Sequence, residues 1–333
     1  MKRFFLLLSQ SALVVWSVNA QGTVMTVRGP ILSSDMGSTL VHEHVLVDFV
    51  GADQITNSRW ESLEVIPVVL PYLEQANKLG VKTLVECTPA YIGRDPLLLK
   101  ELSEATGMHL ITNTGYYGAS DNKYLPDHAY SETDKQLAER WIREWEEGID
   151  GTGIKPGFIK TGVNSGSLSE LHTKLLLAAA TAHLETGLTI ASHTGPALSA
   201  FEQIKLLEQK GVSAEAFIWV HAQGESSWQL HVDAAKAGAW VSLDGLDASN
   251  LLEYLQMVKN MKDHGFLHNT LISHDAGWYS PGEENGGDFR GYTLLIQKFI
   301  PLLLTEGFTE EDIHQLLVIN PQKAMEIRVR RVD

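Results

Sequence analysis

Residues 39–49, TLVHEHVLVDF, place two histidines two positions apart inside an apolar run. The apolar and β-branched residues of this run predict a strand, in which successive side chains alternate between two faces. His42 and His44 therefore leave the same face of one strand. Two imidazoles side by side would suit half of a metal site, although two hydrogen-bonded structural histidines would give the same pattern.

Short runs of this kind recur along the chain and alternate with longer segments that carry apolar residues at helical spacing. The predicted strands are residues 39–49, 81–89, 109–118, 157–163, 188–195, 217–224, 239–245 and 270–277. The predicted helices are residues 63–79, 96–106, 131–148, 167–187, 198–211, 226–238, 248–265 and 292–307, with a last helix at 310–318. Most of the helical segments end at a glycine, which is a common stop signal.

Eight strands that alternate with eight helices predict an α/β protein with a (β/α)8 TIM barrel. The main rival is a doubly wound open sheet, which usually carries a glycine-rich phosphate loop after its first strand. The sequence has no such loop there. Residues 21–38 predict a short hairpin or cap before the barrel, so one domain is expected over residues 21–333.

The first twenty residues have the pattern of a signal peptide. Lys2 and Arg3 give a positive start, an apolar stretch follows, and Val18-Asn19-Ala20 has the small residues of a cleavage site. The polar residues 9–11 interrupt the apolar stretch, which makes a permanent membrane span unlikely after processing. Residues 1–20 therefore predict an exported protein, either periplasmic or secreted.

The charge balance narrows the classes of partner. The 26 basic and 41 acidic residues give a formal net charge of -15, and no basic stripe is present, which argues against nucleic acid. Hydrophobic residues make up 44% of the chain, enough for a large core. Cys87 is the only cysteine, so no intrachain disulfide can stabilise the fold.

The C-terminal ends of the predicted strands carry the candidate chemistry, because a parallel barrel gathers these ends at one mouth. They supply four histidines, one lysine and one aspartate, namely His42, His44, Lys160, His193, His221 and Asp275. Six ionisable groups in one cavity are costly unless they are paired or bind cations. Imidazole and carboxylate ligands fit Zn²⁺ or a similar ion, and their number exceeds the three that one catalytic zinc usually takes. Two ions are therefore expected.

The motifs HEH, FIKTG, SHTG, VHAQGE and SHDAGW, in this order, resemble the phosphotriesterase-related family of the amidohydrolase superfamily, which includes phosphotriesterase-like lactonases. The resemblance runs over residues 24–321. It implies that Lys160 is carbamylated by CO₂ to N6-carboxylysine and bridges two divalent metal ions, expected to be Zn²⁺.

The same resemblance implies how the other ligands are divided between the two ions. His42, His44 and Asp275 would hold the more buried ion, and His193 and His221 the more exposed one. Because members of the family are often dimers, a homodimer is also an expectation.

The resemblance implies a zinc-dependent hydrolase that acts on ester bonds. A hydroxide that bridges the ions would attack a small lactone or a related carboxylic ester, and Asp275 would take up the proton. One alternative is a phosphotriester (organophosphate) hydrolase with the same site. Another is a catalytically weak exported barrel that binds a ligand. The loop after Asp275 is short compared with the lid of the efficient phosphotriester hydrolases, which favours the lactone.

Two further features bear on the site. The wall of the substrate pocket is expected to come from aromatic residues, namely Tyr116, Tyr117, Trp278 and Tyr279, with Phe49 as a further candidate. Asp244 lies where the family has a relay aspartate or, alternatively, is a turn residue. Its neighbour is Gly245 instead of the family's histidine or arginine, and Gln223 and Gly224 lack the expected acid.

Overall fold

The computed structural model describes residues 22–332, so the predicted signal peptide at residues 1–20 lies outside the described residues. The described part begins with an antiparallel hairpin of β1 (Thr23–Thr26) and β2 (Gly29–Leu32), as predicted for residues 21–38. No helix within residues 22–332 is both long and apolar enough to cross a bilayer.

Parallel strands follow the hairpin and form the predicted barrel. They are β3 (Ser38–Glu43), β4 (Val81–Glu86), β5 (His109–Ile111), β6 (Asn113–Thr114), β7 (Phe158–Gly162), β8 (Ile190–His193), β9 (Phe217–Val220), β10 (Trp240–Leu243) and β11 (Thr270–Ile272). β5 and β6 share one barrel position, because the predicted third strand is interrupted at Thr112. β5 pairs with β4, and β6 pairs with β7.

The helices are α1 (Ser62–Lys78), α2 (Pro96–Thr106), α3 (Asp127–Ser131), α4 (Asp134–Glu147), α5 (Glu170–Thr186), α6 (Ala197–Gln209), α7 (Trp228–Lys236), α8 (Leu251–Asp263), α9 (Ile300–Thr305), α10 (Glu310–His314) and α11 (Asn320–Met325). Two π-helical segments, Leu295–Phe299 and Gln315–Ile319, precede α9 and α11. The predicted helix 131–148 corresponds to α4, which begins at Asp134 because Thr133 forms a capping box with Gln136. The short helix α3 precedes it and lies in the predicted loop, apart from Ser131.

The barrel closes between β3 and the segment that follows β11. The backbone N–H of Asp275 donates to the carbonyl of His42 over 3.0 Å, and the N–H of His44 donates to the carbonyl of Ala276 over 2.8 Å. These bonds join the first and last barrel positions at the mouth. The last closing contacts therefore lie among the candidate site residues themselves.

Two apolar layers support the mouth. The larger cluster packs the helices against the outside of the strands. A smaller cluster takes inward-facing residues such as Val41, Phe158 and Trp240 from the strands, and Met36 and Met325 are part of it. The barrel is thus a packed core with a site above it, as this fold requires.

Candidate metal centre

The structure brings all six predicted ionisable residues to one cavity of about 80 Å³ at the C-terminal ends of the strands. His42 lies in β3, Lys160 in β7 and His193 at the end of β8. The other three come from the segments just beyond the strands, namely His44, His221 and Asp275. The tertiary fold therefore gathers residues that are more than 230 positions apart in sequence.

His42, His44 and Asp275 converge on one point. Oδ1 of Asp275 lies 3.0 Å from Nε2 of His44 and 3.5 Å from Nε2 of His42. One donor atom from each residue lies within 4.8 Å of the others, close enough to bind a single cation. Within residues 22–332, Oδ1 of Asp275 makes no well-formed hydrogen bond, so it is available as a ligand.

Each of three histidines is held through Nδ1, which leaves Nε2 for the cavity. Nδ1 of His42 donates to Oδ2 of Asp244 over 3.0 Å, and Nδ1 of His221 donates to Oδ1 of the same residue over 2.7 Å. Nδ1 of His44 donates to Oγ1 of Thr88 over 2.8 Å. Partners of this kind fix the ring and its tautomer in metal sites.

The hydroxyl oxygen of Thr88 can accept a hydrogen bond from His44 because the hydroxyl proton of Thr88 points to another acceptor. It has one hydroxyl proton, which it donates either to Oε1 of Glu86 at 2.5 Å or to the carbonyl of Leu46 at 3.0 Å. Burial raises the pKa of Glu86, although His44 and the bonds from Thr88 act against this shift. Thr88 and Glu86 are not among the predicted site residues, although their spacing of two at the end of β4 places both on one face of the chain.

Asp244 is fully buried and is a shared anchor, not an exposed turn residue. Besides the two imidazoles, it accepts hydrogen bonds from Ser242 Oγ over 2.7 Å and from Gln223 Nε2 over 3.3 Å. Burial opposes its charge, but His221 and His42 outweigh this effect and hold the pKa of Asp244 well below its usual range. One carboxylate therefore orients two of the predicted ligands.

The side chain of Lys160 is buried at 2% exposure, and its Nζ has no hydrogen-bond partner among residues 22–332. An ammonium group would be a buried charge without a direct partner, which is costly. The backbone of Lys160 lies against Gly115, where an added Cβ would come within 2.3 Å of the Lys160 carbonyl oxygen. Gly115, at a φ of 106°, thus allows the close approach that sets the lysine in the cavity.

His193 and His221 form the other side of the cavity, with ring centroids 4.4 Å apart. The centroid of His221 is also 5.0 Å from that of His42, so the two groups of histidines adjoin. His221 has a φ of 60°, an unusual left-handed conformation for a residue other than glycine. Such strain often marks functional sites.

The electrostatics keep two of the imidazoles neutral. Burial, followed by the charge of Lys160, lowers the pKa of His42 to about 4. Burial and the neighbouring His221 and Lys160 hold the pKa of His193 well below its usual value. Neutral imidazole is the form that binds a metal ion.

Asp275 is held in its charged form. Burial alone would raise its pKa, but His42 and His44 outweigh burial and lower it. The cavity therefore combines the neutral imidazoles of His42 and His193 with an ionised carboxylate, and imidazole nitrogen with carboxylate oxygen is the donor set of a borderline divalent cation.

Aromatic residues cover the cavity, but only some of those predicted. Tyr117, Trp278 and Phe49 line it. The ring of Trp278 packs edge-on against His44 at 5.5 Å, and its Nε1 donates to the carbonyl of Asp275 over 3.0 Å.

Two residues predicted for the wall of the substrate pocket, Tyr116 and Tyr279, do not line this cavity. The hydroxyl of Tyr116 is 2.9 Å from Nε2 of His128, and its ring packs on Trp141, outside the cavity. Tyr279 is buried against Gly286. Neighbouring residues in an extended chain point to opposite sides, so Tyr116 and Tyr117 could not both face the cavity.

The space beside Gly245 is already filled. A Cβ added there would lie 2.7 Å from Nε2 of Gln223 and 3.0 Å from the hydroxyl of Tyr254. Gln223 also accepts from the backbone N–H of Asp244 over 3.2 Å. Glu225, the nearest following acid, instead accepts from the backbone N–H groups of Ala197 and Ser227. The amide of Gln223 is therefore the group that contacts Asp244 at this position.

Comparison with known proteins agrees with this geometry. The model of the phosphotriesterase family matches residues 22–325. The phosphotriesterase homology protein of Escherichia coli strain K12 is 29% identical over 291 residues, covering 86% of this chain and 97% of that protein. An aryldialkylphosphatase of Saccharolobus solfataricus is 28% identical and covers 89% and 97%, and an N-acetyltaurine hydrolase of Dictyostelium discoideum is 24% identical and covers 92% and 98%.

Among solved structures, an organophosphorus hydrolase from Deinococcus radiodurans superposes with a TM-score of 0.81 at 25% identity. The superposition covers 92% of this chain and 98% of the other. The similarity therefore extends over the whole barrel and is not limited to the site.

Proposed function

The chain belongs to the phosphotriesterase family, and from this premise we propose that it is a hydrolase that uses two divalent ions, Zn²⁺ in the first instance, to cleave a lactone or a related carboxylic ester. The observation that carries the proposal is the convergence of six candidate ligand side chains on one cavity, three of which, His42, His44 and His221, are already held through Nδ1. His42, His44 and Asp275 would hold one ion, and His193 and His221 the other.

Lys160 is proposed to supply the bridging ligand as N6-carboxylysine. Its neutral amine would add to CO₂, forming an N–C bond and releasing one proton. The product is a carboxylate that two cations can share. The support is the buried Nζ without a partner, which carbamylation would turn from an unpaired cation into an anion beside both groups of histidines.

When bound, two divalent cations lower the pKa of water and polarise the oxygen of a carbonyl or phosphoryl group. Asp275 would accept the proton of the attacking water on its carboxylate and pass it to the leaving group, because it is ionised and faces the cavity. Tyr117 and Trp278 would orient the ring of a substrate and exclude bulk water.

The size of the cavity favours a compact substrate. Its volume of about 80 Å³ is small beside the roughly 300–1,000 Å³ of pockets for drug-sized ligands. A small lactone meets this limit more easily than a triester with bulky aryl groups. The phosphotriester alternative stays open, because the relatives include both an aryldialkylphosphatase and an N-acetyltaurine hydrolase.

The first experiment measures metal content per chain together with the native mass of the purified protein, after growth with zinc. Two metal ions and an added CO₂ are expected. Rates on small lactones and on paraoxon-like triesters then separate the two substrate classes. A metal-free protein with an unmodified lysine would contradict the proposal and favour the third reading, a barrel that only binds a ligand.

Export and dimerisation are separate proposals. Export rests on the signal-peptide pattern of residues 1–20, and N-terminal sequencing of the mature protein would test it. Light scattering of the purified protein would test the homodimer.

A further inference from the structure

Glu43 lies between the two histidines of the first motif and faces away from the cavity, at 0% exposure. Its carboxylate accepts four hydrogen bonds, all from residues 273–276. Oε1 accepts from Ser273 Oγ at 2.7 Å, from the His274 backbone N–H at 3.1 Å and from His274 Nδ1 at 2.6 Å. Oε2 accepts from the backbone N–H of Ala276 at 2.9 Å. The donors surround Asp275 on both sides.

Asp275 has a backbone conformation that it would not adopt alone. Its φ is 53°, in the left-handed region that aspartate visits only occasionally. Conformations of this kind persist where the surrounding structure fixes them. Here the flanking residues are bonded to Glu43, and the N–H of Asp275 itself is bonded to the carbonyl of His42.

His274 extends this anchor to the last barrel helix. It is buried at 1% exposure, and because Nδ1 donates to Glu43, Nε2 is free to accept. It accepts the backbone N–H of Leu295 over 2.8 Å. That N–H belongs to the first turn of a helix, where donors lack partners within the helix. Glu43, His274 and Leu295 thus link β3, the end of β11 and the π-helical segment before α9.

We infer that Glu43 and His274 are positioning residues that hold Asp275 in its left-handed conformation and its carboxylate against His42 and His44. The metal-binding part of this inference rests on the proposed function. The positioning itself does not, because it concerns where Asp275 lies in the folded chain. Neither residue lines the cavity, and the proposed chemistry does not use them.

Substitutions at His274 separate its hydrogen bonds from its bulk. His274→Leu removes both bonds and keeps an apolar side chain in the space. His274→Gln keeps one donor and one acceptor, so it can still join Glu43 to Leu295. Ser273→Ala removes one of the four bonds to Glu43, together with the bond that Ser273 Oγ accepts from the backbone N–H of His42 over 3.1 Å. It serves as the second variant if His274→Leu does not fold.

The control is His183→Leu. His183 is also fully buried and also bonded through both ring nitrogens, to the carbonyl of Leu188 and to the backbone of Arg330, but it lies outside the cavity. This variant measures the loss of stability caused by removing a buried histidine that has no contact with the cavity.

Zn²⁺ affinity is measured by equilibrium dialysis for the wild type and all four variants, and Co²⁺ spectra report the ligand geometry. His274→Leu is expected to weaken binding about 10–100-fold, as losses of outer-shell partners do, and Ser273→Ala less. His274→Gln is expected to restore most of the affinity. His183→Leu is expected to lose thermal stability without losing affinity. Wild-type affinity and spectra in both His274→Leu and Ser273→Ala would overturn the inference.

A crystal structure of metal-free His274→Leu, or of Ser273→Ala if the former does not fold, makes the test independent of metal binding. We expect the carboxylate of Asp275 to leave His42 and His44 by roughly 1 Å or more, beyond the tolerance of a functional site. An unmoved Asp275 would overturn the positioning role. Failure of the wild type to bind Zn²⁺ would instead contradict the proposed function. The positioning role would then be decided by the place of Asp275 in the metal-free crystal structures alone.

Discussion

Asp244 orients two ligands that the proposal assigns to different ions. Its two oxygens each take one imidazole Nδ1–H, from His42 and from His221. A neutral amide has a single acceptor oxygen and cannot serve both. The carboxylate therefore couples the two halves of the site at the level of one residue.

Asp244→Asn is expected to weaken Zn²⁺ binding about 10–100-fold, because one of the two imidazoles loses its partner. Equilibrium dialysis against buffered Zn²⁺ measures the change. Asp263→Asn is the control, since Asp263 is exposed at the end of α8 and pairs only with Lys259 in the described structure. Equal affinities for the two variants would show that the ligands do not depend on Asp244.

Lys160→Ala is expected to lose the bound metal or most of the activity, because the carboxylate proposed to bridge the two ions would be lost. Acetate or propionate is expected to rescue it partly by occupying the vacated space with a carboxylate. Lys155→Ala, just before β7 and outside the cavity, is the control. Full metal content and full rate in Lys160→Ala would contradict the bridge.

Asp275→Asn is expected to fold and to lower kcat about 10²–10⁴-fold, the usual effect of losing an acid–base group. Circular dichroism checks the fold, and turnover of the best lactone measures the effect. A rate close to that of the wild type would remove Asp275 from proton transfer.

At the scale of single elements, the alternation of side chains along a strand agrees with the directions found around the cavity. It places His42 and His44 together on the cavity side and turns His274 away from it. The same alternation separates the neighbours Tyr116 and Tyr117, and of these two only Tyr117 lines the cavity. Strand alternation therefore predicts one of the two tyrosines for the cavity and not both.

The points at which helices begin depend on the hydrogen bonds made by their first residues. The capping box at Thr133 sets the start of α4 at Asp134, three residues after the predicted start, because the spacing of apolar residues alone does not locate a helix end. The π-helical segment before α9 is another example, because Leu295 gives its N–H to His274. That partner is distant in sequence, so no local pattern could indicate it.

The C-terminal segment is held by a neutral histidine, which makes stability depend on pH. Nε2 of His183 accepts a hydrogen bond from the backbone N–H of Arg330 over 2.9 Å, and burial lowers the pKa of His183 from its usual value of 6.5. The unfolded chain binds the proton more readily, so this stabilisation is full above pH 6.5 and is lost as the pH falls from there through the folded pKa.

We therefore expect the free energy of unfolding of metal-free protein to fall less steeply below pH 6.5 in His183→Gln than in the wild type. One histidine can account for at most about 1.4 kcal/mol per pH unit of the difference. Urea titrations at several pH values measure it. His264→Gln, at an exposed position, is expected to behave as the wild type. Parallel pH curves for wild type and His183→Gln would contradict the role of His183.

At the scale of the whole molecule, the barrel could be predicted because each segment carries its own period and stop signal. The ligand residues could be proposed because strand ends meet at one mouth. The hydrogen-bond partners that hold the site residues in place could not be paired with them in the same way. Asp244 and His42 are separated by 202 positions, and Glu43 and His274 by 231. Such pairs follow from the closed barrel and not from any local pattern.

Closure of the barrel and the candidate metal centre share residues, so metal binding is expected to stabilise the whole fold. The bonds that join β3 to the segment after β11 involve the backbones of His42, His44 and Asp275. A ligand that binds only the folded chain at 100 times its Kd adds about 2.7 kcal/mol. For a domain of this size, this predicts a rise in Tm of about 4 °C on adding Zn²⁺ to chelated protein. Calorimetry measures the shift, with Lys160→Ala as the control that is expected to gain less. Equal gains in the wild type and Lys160→Ala would show that the stabilising ions bind without Lys160. No gain in the wild type would contradict the link between barrel closure and metal binding.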